Sequence, residues 1–218
     1  MIESIRYRKL TKAGALAGGL IGFLVFAGAG FTGLGMLALF FLAGTAATSW
    51  KRRQKSESGM AQEKNGRRLG QVLANGGAGG LLGLLSLLFP EQKPLFALLM
   101  AGAFSSAIAD TLSSELGTVY GKSFYNITTF HPDKKGLDGV VSLEGTCIGI
   151  AGSVLIATVY CFGYGWTNQF FWIVLAGTIG NLSDSVLGAT VERRQILGND
   201  AVNFLNTAIG AAVMLLAA

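Results

Sequence analysis

From Ala13 to Trp50 no residue carries a charge, and nothing else constrains the fold of this chain as strongly. A bilayer core takes roughly 20 apolar residues per helical crossing, so the run is too long for one crossing and right for two. The division falls at Gly28-Ala-Gly-Phe-Thr-Gly33, and a hairpin of membrane helices is the natural reading. Later apolar stretches predict spans at about 70–89, 94–115, 140–161, 169–190 and 200–218. Strong strand alternation is absent, which excludes an outer-membrane barrel. The expected fold is an all-α polytopic membrane protein with about seven transmembrane helices in a single domain over residues 1–218. Its cytoplasmic loops should lie near 51–69 and 118–139. The composition agrees: 51% hydrophobic and 13% charged residues with 32 glycines suit helices that pack through small side chains.

Charge tests the topology, because Lys and Arg accumulate on the cytoplasmic side of short loops. Alternating seven spans puts every one of the 17 basic residues except Lys93 on one face. This predicts a cytoplasmic N-terminus, an extracytoplasmic or lumenal C-terminus, and a site near the cytoplasmic face. The formal net charge of +5 is then a topology signal, reinforced by anionic membrane lipids, and no nucleic-acid polymer is expected as a partner. The first span follows Arg6-Tyr-Arg-Lys9 as a signal peptide would, yet the apolar run continues past any small-residue cleavage site, so it is expected to be retained. Cys147 and Cys161 lack metal-ligand spacing and read as packing residues. His131, alone beside Pro132, reads as a solvated loop residue.

Three acids, Asp110, Glu115 and Asp184, stand inside apolar stretches, where an ionisable group is costly and is a site hypothesis by default. Asp110 shares a helical face with Ser106, Ser113, Ser114 and Gly117. Glu115, five positions on, points about 140 degrees away on an ideal helix, so both acids reach one centre only if the helix unwinds near Gly117 or they approach from different sides. Asn181, Asp184, Ser185 and Gly188 form a second polar stripe, with Glu192 nearer the loop. The likeness of the Asp110 and Asp184 segments points to a degenerate, parallel internal repeat that sets the two acids at comparable depth. Arg68, Gln71 and Asn75 share a face of the third span, and Asp200, Asn203 and Asn206 recur into the last.

Carboxylates and amides at a membrane surface, with basic residues nearby, can hold Mg²⁺ on a nucleoside triphosphate while Arg or Lys neutralises phosphate oxygens. Phosphoryl transfer needs positioning and charge stabilisation more than a side-chain nucleophile, so a lipid phosphate is a fitting acceptor. The same acids would serve an ion-coupled transporter, and a bundle with purely structural polar contacts is the third reading.

Five segments resemble the DUF92 family of integral membrane proteins, which includes a chloroplast phytyl-phosphate kinase. They are Asn65-Gly-Arg-Arg-Leu-Gly-Gln-Val-Leu-Ala-Asn-Gly77, Ala109-Asp-Thr-Leu-Ser-Ser-Glu-Leu-Gly117, Ile127-Thr-Thr129, Gly139-Val-Val-Ser-Leu-Glu-Gly-Thr146 and Ser183-Asp-Ser-Val-Leu-Gly-Ala-Thr190. The resemblance implies a CTP-dependent kinase that converts phytyl or another prenyl monophosphate to the diphosphate used in tocopherol and related isoprenoid biosynthesis. A CTP-dependent lipid cytidylyltransferase is the neighbouring alternative. The resemblance implies metal and catalytic roles for Asp110, Glu115 and Asp184, catalytic roles for Arg67 and Arg68, and binding roles for Asn75 and Glu144; Ser114 and Asn181, on the polar faces beside the acids, are expected to bind as well. Mg²⁺ would be the cofactor, and CTP, the prenyl lipid and membrane lipids the partners; a second copy of the chain is left open. The sequence departs from the family pattern at Leu137 and Val140, where small or polar residues are usual, while Asp138 and Gly139 are retained. The glycine-rich faces around Gly76 to Gly80 and Gly177 to Gly188 are candidate approaches for a lipid chain, with close helix packing as the alternative.

Overall fold

The computed structural model describes residues 10–51, 55 and 66–218. The basic residues before Leu10, together with Arg52, Arg53, Lys64 and Asn65, lie outside the described residues. The first helix, α1 (Lys12–Ser49), begins where the Thr11 hydroxyl accepts the Gly14 N–H at 3.1 Å, an N-cap that satisfies one of the unpaired donors of the first turn. At Gly30 the backbone leaves helical geometry (φ 60°, ψ −149°), a conformation open to glycine but not to residues with a β-carbon. The chain reverses there. A β-carbon at Gly22 would lie 3.8 Å from Leu37, and the two outer ends of α1 both rest on Arg67, Gly14 against its carbonyl and Gly44 against its guanidinium. The charge-free run is thus a hairpin with legs 12–29 and 31–49.

The remaining helices are α2 (Leu69–Leu88), α3 (Lys93–Tyr120), α4 (Leu143–Tyr164), α5 (Gln169–Leu187) and α6 (Asn199–Val213). A π turn at Gly188–Glu192 extends α5, and a 3₁₀ turn at Met214–Leu216 extends α6. Five helical segments are long and apolar enough to cross a membrane: α1, α2, α3 with the turn before it, α4, and α5 with its π turn. At 15 residues, α6 is shorter than the span expected over 200–218. The fourth helix starts at Leu143 rather than 140 because Ser142 caps it, accepting the Gly145 N–H at 3.1 Å.

One helix organises the others. From Phe96 to Ala109 every residue of α3 is buried, so it has no lipid face, and its neighbours close on it through small residues. Gly102 meets the backbone of Gly210, Gly117 meets Gly145, Gly79 meets the Phe104 ring, and Gly177 and Gly180 meet Ser105 and Ser106. Buried hydroxyls tie the bundle across these seams: Ser105 donates to the Ile173 carbonyl at 2.8 Å and Thr207 to the Ala74 carbonyl at 3.4 Å.

Two expectations change here. Gly117 does not unwind α3, which continues to Tyr120; its missing side chain serves instead to let α4 approach, a β-carbon there falling 2.8 Å from the Gly145 Cα. Gly79 and Gly188 do not line a lipid entrance. Gly79 packs on Phe104, and Gly188 on the backbone of Asp138 and Gly139. The parallel course of α3 and α5 is seen in the ascending contacts from Ser105–Ile173 to Asp110–Asp184. Their surroundings differ, however: α3 is enclosed, while Phe171, Leu175 and Val186 of α5 are exposed.

Candidate active site

At the end of the bundle that carries the basic connections, a cavity of about 650 Å³ surrounds the last turns of α3. It is lined by Arg67, Asn75, Asp110, Ser114, Glu115, Asn181 and Asp184. Arg68 and Glu144 do not line it. Arg68 starts α2, its N–H held by the Gln71 side chain at 2.9 Å, and Glu144 sits in the first turn of α4, accepting the Lys122 N–H at 3.4 Å.

Asp110 and Asp184 meet side chain to side chain. The register of α3 against α5 brings them together, because glycines at 177 and 180 remove the bulk that would hold the helices apart. Asn206 fixes the pair from α6: its amide nitrogen donates to Asp184 Oδ1 at 3.3 Å, while its amide oxygen accepts from Ser106. Asp138 and Glu192 stand within electrostatic range of Asp184, which makes this wall acidic. Among the described residues no three His, Cys, Asp or Glu side chains converge as a metal cage. Two carboxylates flanked by amides suit Mg²⁺, which keeps much of its water and takes its remaining ligands from substrate phosphates.

The other wall is cationic. Lys55 is buried, and its ammonium donates to the Ala47 carbonyl at 2.8 Å, the Thr48 carbonyl at 3.0 Å and Glu115 Oε2 at 2.6 Å. Those carbonyls lie at the C-terminus of α1, where the helix dipole favours a cation. Arg67 lies beside them, its guanidinium 5.5 Å from the Phe40 ring centroid and 6.0 Å from that of Phe41. Glu115 is therefore ion-paired on this wall and is not a third partner of the acid pair. It and Asp110 share one cavity from different sides, with α3 intact between them. Asn75 lines the space between the walls, its amide donating to the Gln71 carbonyl at 3.1 Å.

Residues 121–142 roof the acid wall. Tyr125–Asn126 pairs antiparallel with Val140–Val141, and Gly136 and Gly139 take positive φ (83° and 71°) to turn the chain down beside Asp138. Arg193 clamps this roof, donating to the Asp138 carbonyl at 2.6 Å and to Asp133 at 2.9 Å. The Lys134 N–H and Arg193 hold the Asp133 carboxyl below its ordinary value of 3.8. A depressed pKa contributes stability that is present above the ordinary value and is lost as pH falls through the folded one. Protection factors for hydrogen exchange at Leu137 and Val140, whose N–H groups are hydrogen-bonded, should therefore be higher at pH 7 than below about pH 3.8, and Asp133→Asn should lower them at pH 7. Equal protection in the two proteins would remove the clamp.

Sequence reading missed Lys55, Asp138, Glu192 and Asn199 as cavity residues. Asp138 and Glu192 carried a signal, being acids beside glycine-rich turns next to the Asp184 stripe. Lys55 carried none, since it sits in a run of charges that reads as solvated loop.

Comparison with known proteins places this architecture. Protein VTE6, chloroplastic, of Arabidopsis thaliana is 36% identical over 215 residues, covering 95% of this chain and 65% of that protein. The chain thus spans somewhat less than two thirds of that relative. An uncharacterized membrane protein of Synechocystis sp. is 32% identical, over 89% of this chain and 77% of its own length. One of Methanocaldococcus jannaschii is 34% identical, over 94% and 84%. No solved structure matches the chain. The family model for integral membrane protein DUF92 matches residues 1–211, and the chain belongs to that family.

Proposed function

We propose that the protein is a CTP-dependent kinase of a prenyl monophosphate, acting at the cytoplasmic end of a bundle that crosses the membrane seven times. The observation that carries this reading is the division of one cavity into an acid wall, Asp110 and Asp184, and a cationic wall, Lys55 and Arg67. That division suits two anionic substrates, one bound through a cation and one bound directly. The substrate class rests on the family resemblance. The seven crossings count both legs of α1 and include α6, and the orientation rests on the basic connections.

In the reaction an oxygen of the acceptor monophosphate attacks the γ-phosphorus of CTP. The bond from that phosphorus to the β–γ bridging oxygen breaks, its electron pair leaves with CDP, and the prenyl diphosphate is formed. Mg²⁺ held by Asp110 and Asp184 would supply charge neutralisation on the triphosphate. Asn206 keeps Asp184 oriented, Asn75 and Asn181 hydrogen-bond phosphate or base, and Arg67 takes up charge on the transferring group. The roof over residues 136–142 excludes water, which would otherwise compete as acceptor.

Membrane vesicles test the function and the orientation together, because CTP does not cross a bilayer. With Mg²⁺, γ-labelled CTP and geranylgeranyl monophosphate, label should reach the lipid in inside-out vesicles and not in sealed right-side-out ones. Transfer confined to right-side-out vesicles would reverse the orientation. No transfer in either, with gradient-driven ion flux, would replace the kinase by a transporter.

A further inference from the structure

The two walls can be assigned to the two substrates, an assignment that rests on the kinase reading. The acid wall can hold an anion only through a cation. The other wall can hold one directly, and beneath its charges lies apolar surface. The Arg67 guanidinium is stacked over Phe40 and Phe41, so an anion on its far side stands at the head of an aromatic face pointing into the membrane.

Phe40 is buried and Phe41 half-buried, and the residues deeper on the same leg are exposed. The legs of α1 come together at Gly22 and Leu37, whereas at the cavity end both rest on Arg67, Gly14 on one side and Gly44 on the other. The hairpin is therefore wedged apart by Arg67 where it meets the cavity. On the 31–49 leg the polar cavity residues Thr45 and Thr48 are followed one helical turn deeper by Phe41, two turns deeper by Ala38, and then by Leu34, which is exposed. These residues form an apolar stripe that descends one leg from the cavity to the exposed Ala38 and Leu34. A nucleoside triphosphate, polar throughout, has no use for it, but a phosphate bearing an isoprenoid chain does. Leaving the chain in the bilayer avoids about 0.8 kcal/mol for every CH₂ moved into water.

We infer that the acceptor's monophosphate is bound by Arg67 with Lys55 beside it, and that its prenyl chain leaves the cavity at the end of α1 that Arg67 wedges apart, past Phe41 and along the exposed Ala38. Glu115 then acts as a positioning residue, holding the Lys55 ammonium at the wall until the phosphate takes over part of its hydrogen bonding.

Direct binding separates this assignment from the reaction. Wild-type protein in nanodiscs is titrated, without nucleotide, with geranylgeranyl monophosphate and with the short dimethylallyl monophosphate. Arg67→Gln should weaken both by about tenfold or more, the loss of a charge-assisted fork, with Arg67→Lys in between. Ala38→Trp, which fills the path, should weaken the long lipid by about tenfold and the short one by less than about twofold. Absence of binding by the wild type would overturn the kinase reading itself. Wild-type binding left within about twofold by both Arg67→Gln and Ala38→Trp would overturn the acceptor route alone. Loss of both ligands in Ala38→Trp would also overturn the route, and a thermal unfolding profile matching the wild type would show that the variant had folded.

Discussion

Asp110→Asn should lower turnover by at least ~10²-fold, and Asp184→Asn by a similar factor. The substitution keeps size while removing one negative charge from the pair that would hold the cation on the triphosphate. A factor of ~10² in rate is about 2.7 kcal/mol of transition-state stabilisation, within reach of one carboxylate at a metal-assisted centre. Because the two acids touch, the double variant should fall well short of the product of the single effects. Glu115→Gln should cost less, since Glu115 works through Lys55. Kinetics of the four folded variants decide the assignment. Normal turnover in folded Asp110→Asn would remove it, and a fully multiplicative double variant would mean that the two acids act independently.

The second large effect is on folding. Gly102→Ala places a β-carbon on the carbonyl of Gly210, and neither backbone can yield without separating α3 from α6. Overpacking of this kind costs about 1–3 kcal/mol. Gly18→Ala is the matched control. Its β-carbon would meet only Val72, at 3.8 Å, and exchanging glycine for alanine in a helix interior stabilises by roughly 0.5–1 kcal/mol. Thermal unfolding in detergent should show opposite shifts for the same chemical change. Shifts of the same sign would mean that α3 and α6 are not in backbone contact.

Much of this arrangement was legible in the sequence, for physical reasons that also mark where legibility stopped. The hairpin could be read because a charge-free stretch from Ala13 to Trp50 has no other way to lie in a bilayer, and its turn fell at Gly30 within the predicted segment. Asp110 and Asp184 stood out because a carboxylate inside an apolar helix is costly unless it has a purpose. Helical periodicity placed Glu115 on a different side from Asp110, and α3 does keep them apart. What it could not supply was the breadth of the cavity, which lets one space reach both sides of a helix. Lys55 was illegible for a different reason. A lysine among lysines, arginines and serines looks solvated, and only the tertiary path that folds it back onto the end of α1 makes it a wall of the site. Gly79 and Gly188 left two readings open because a glycine shows that something comes close without saying whether that is a lipid or another part of the chain, and packing is the one found.

The enclosure of α3 also bears on how the protein is made. A chain enters the membrane N-terminus first, so α3 arrives before α4, α5 and α6. Ser105 must then wait for the Ile173 carbonyl, 68 residues later, and Ser106 for Asn206, 100 residues later. Asp110 waits for Asp184 as well. Until they arrive, the helix destined for the centre of the bundle stands in lipid with these polar groups unpaired by their final partners. Its insertion is therefore coupled to the synthesis of the C-terminal half, and a ribosome paused between α3 and α5 would leave a helix with an acid and no counterpart at the surface of the bilayer.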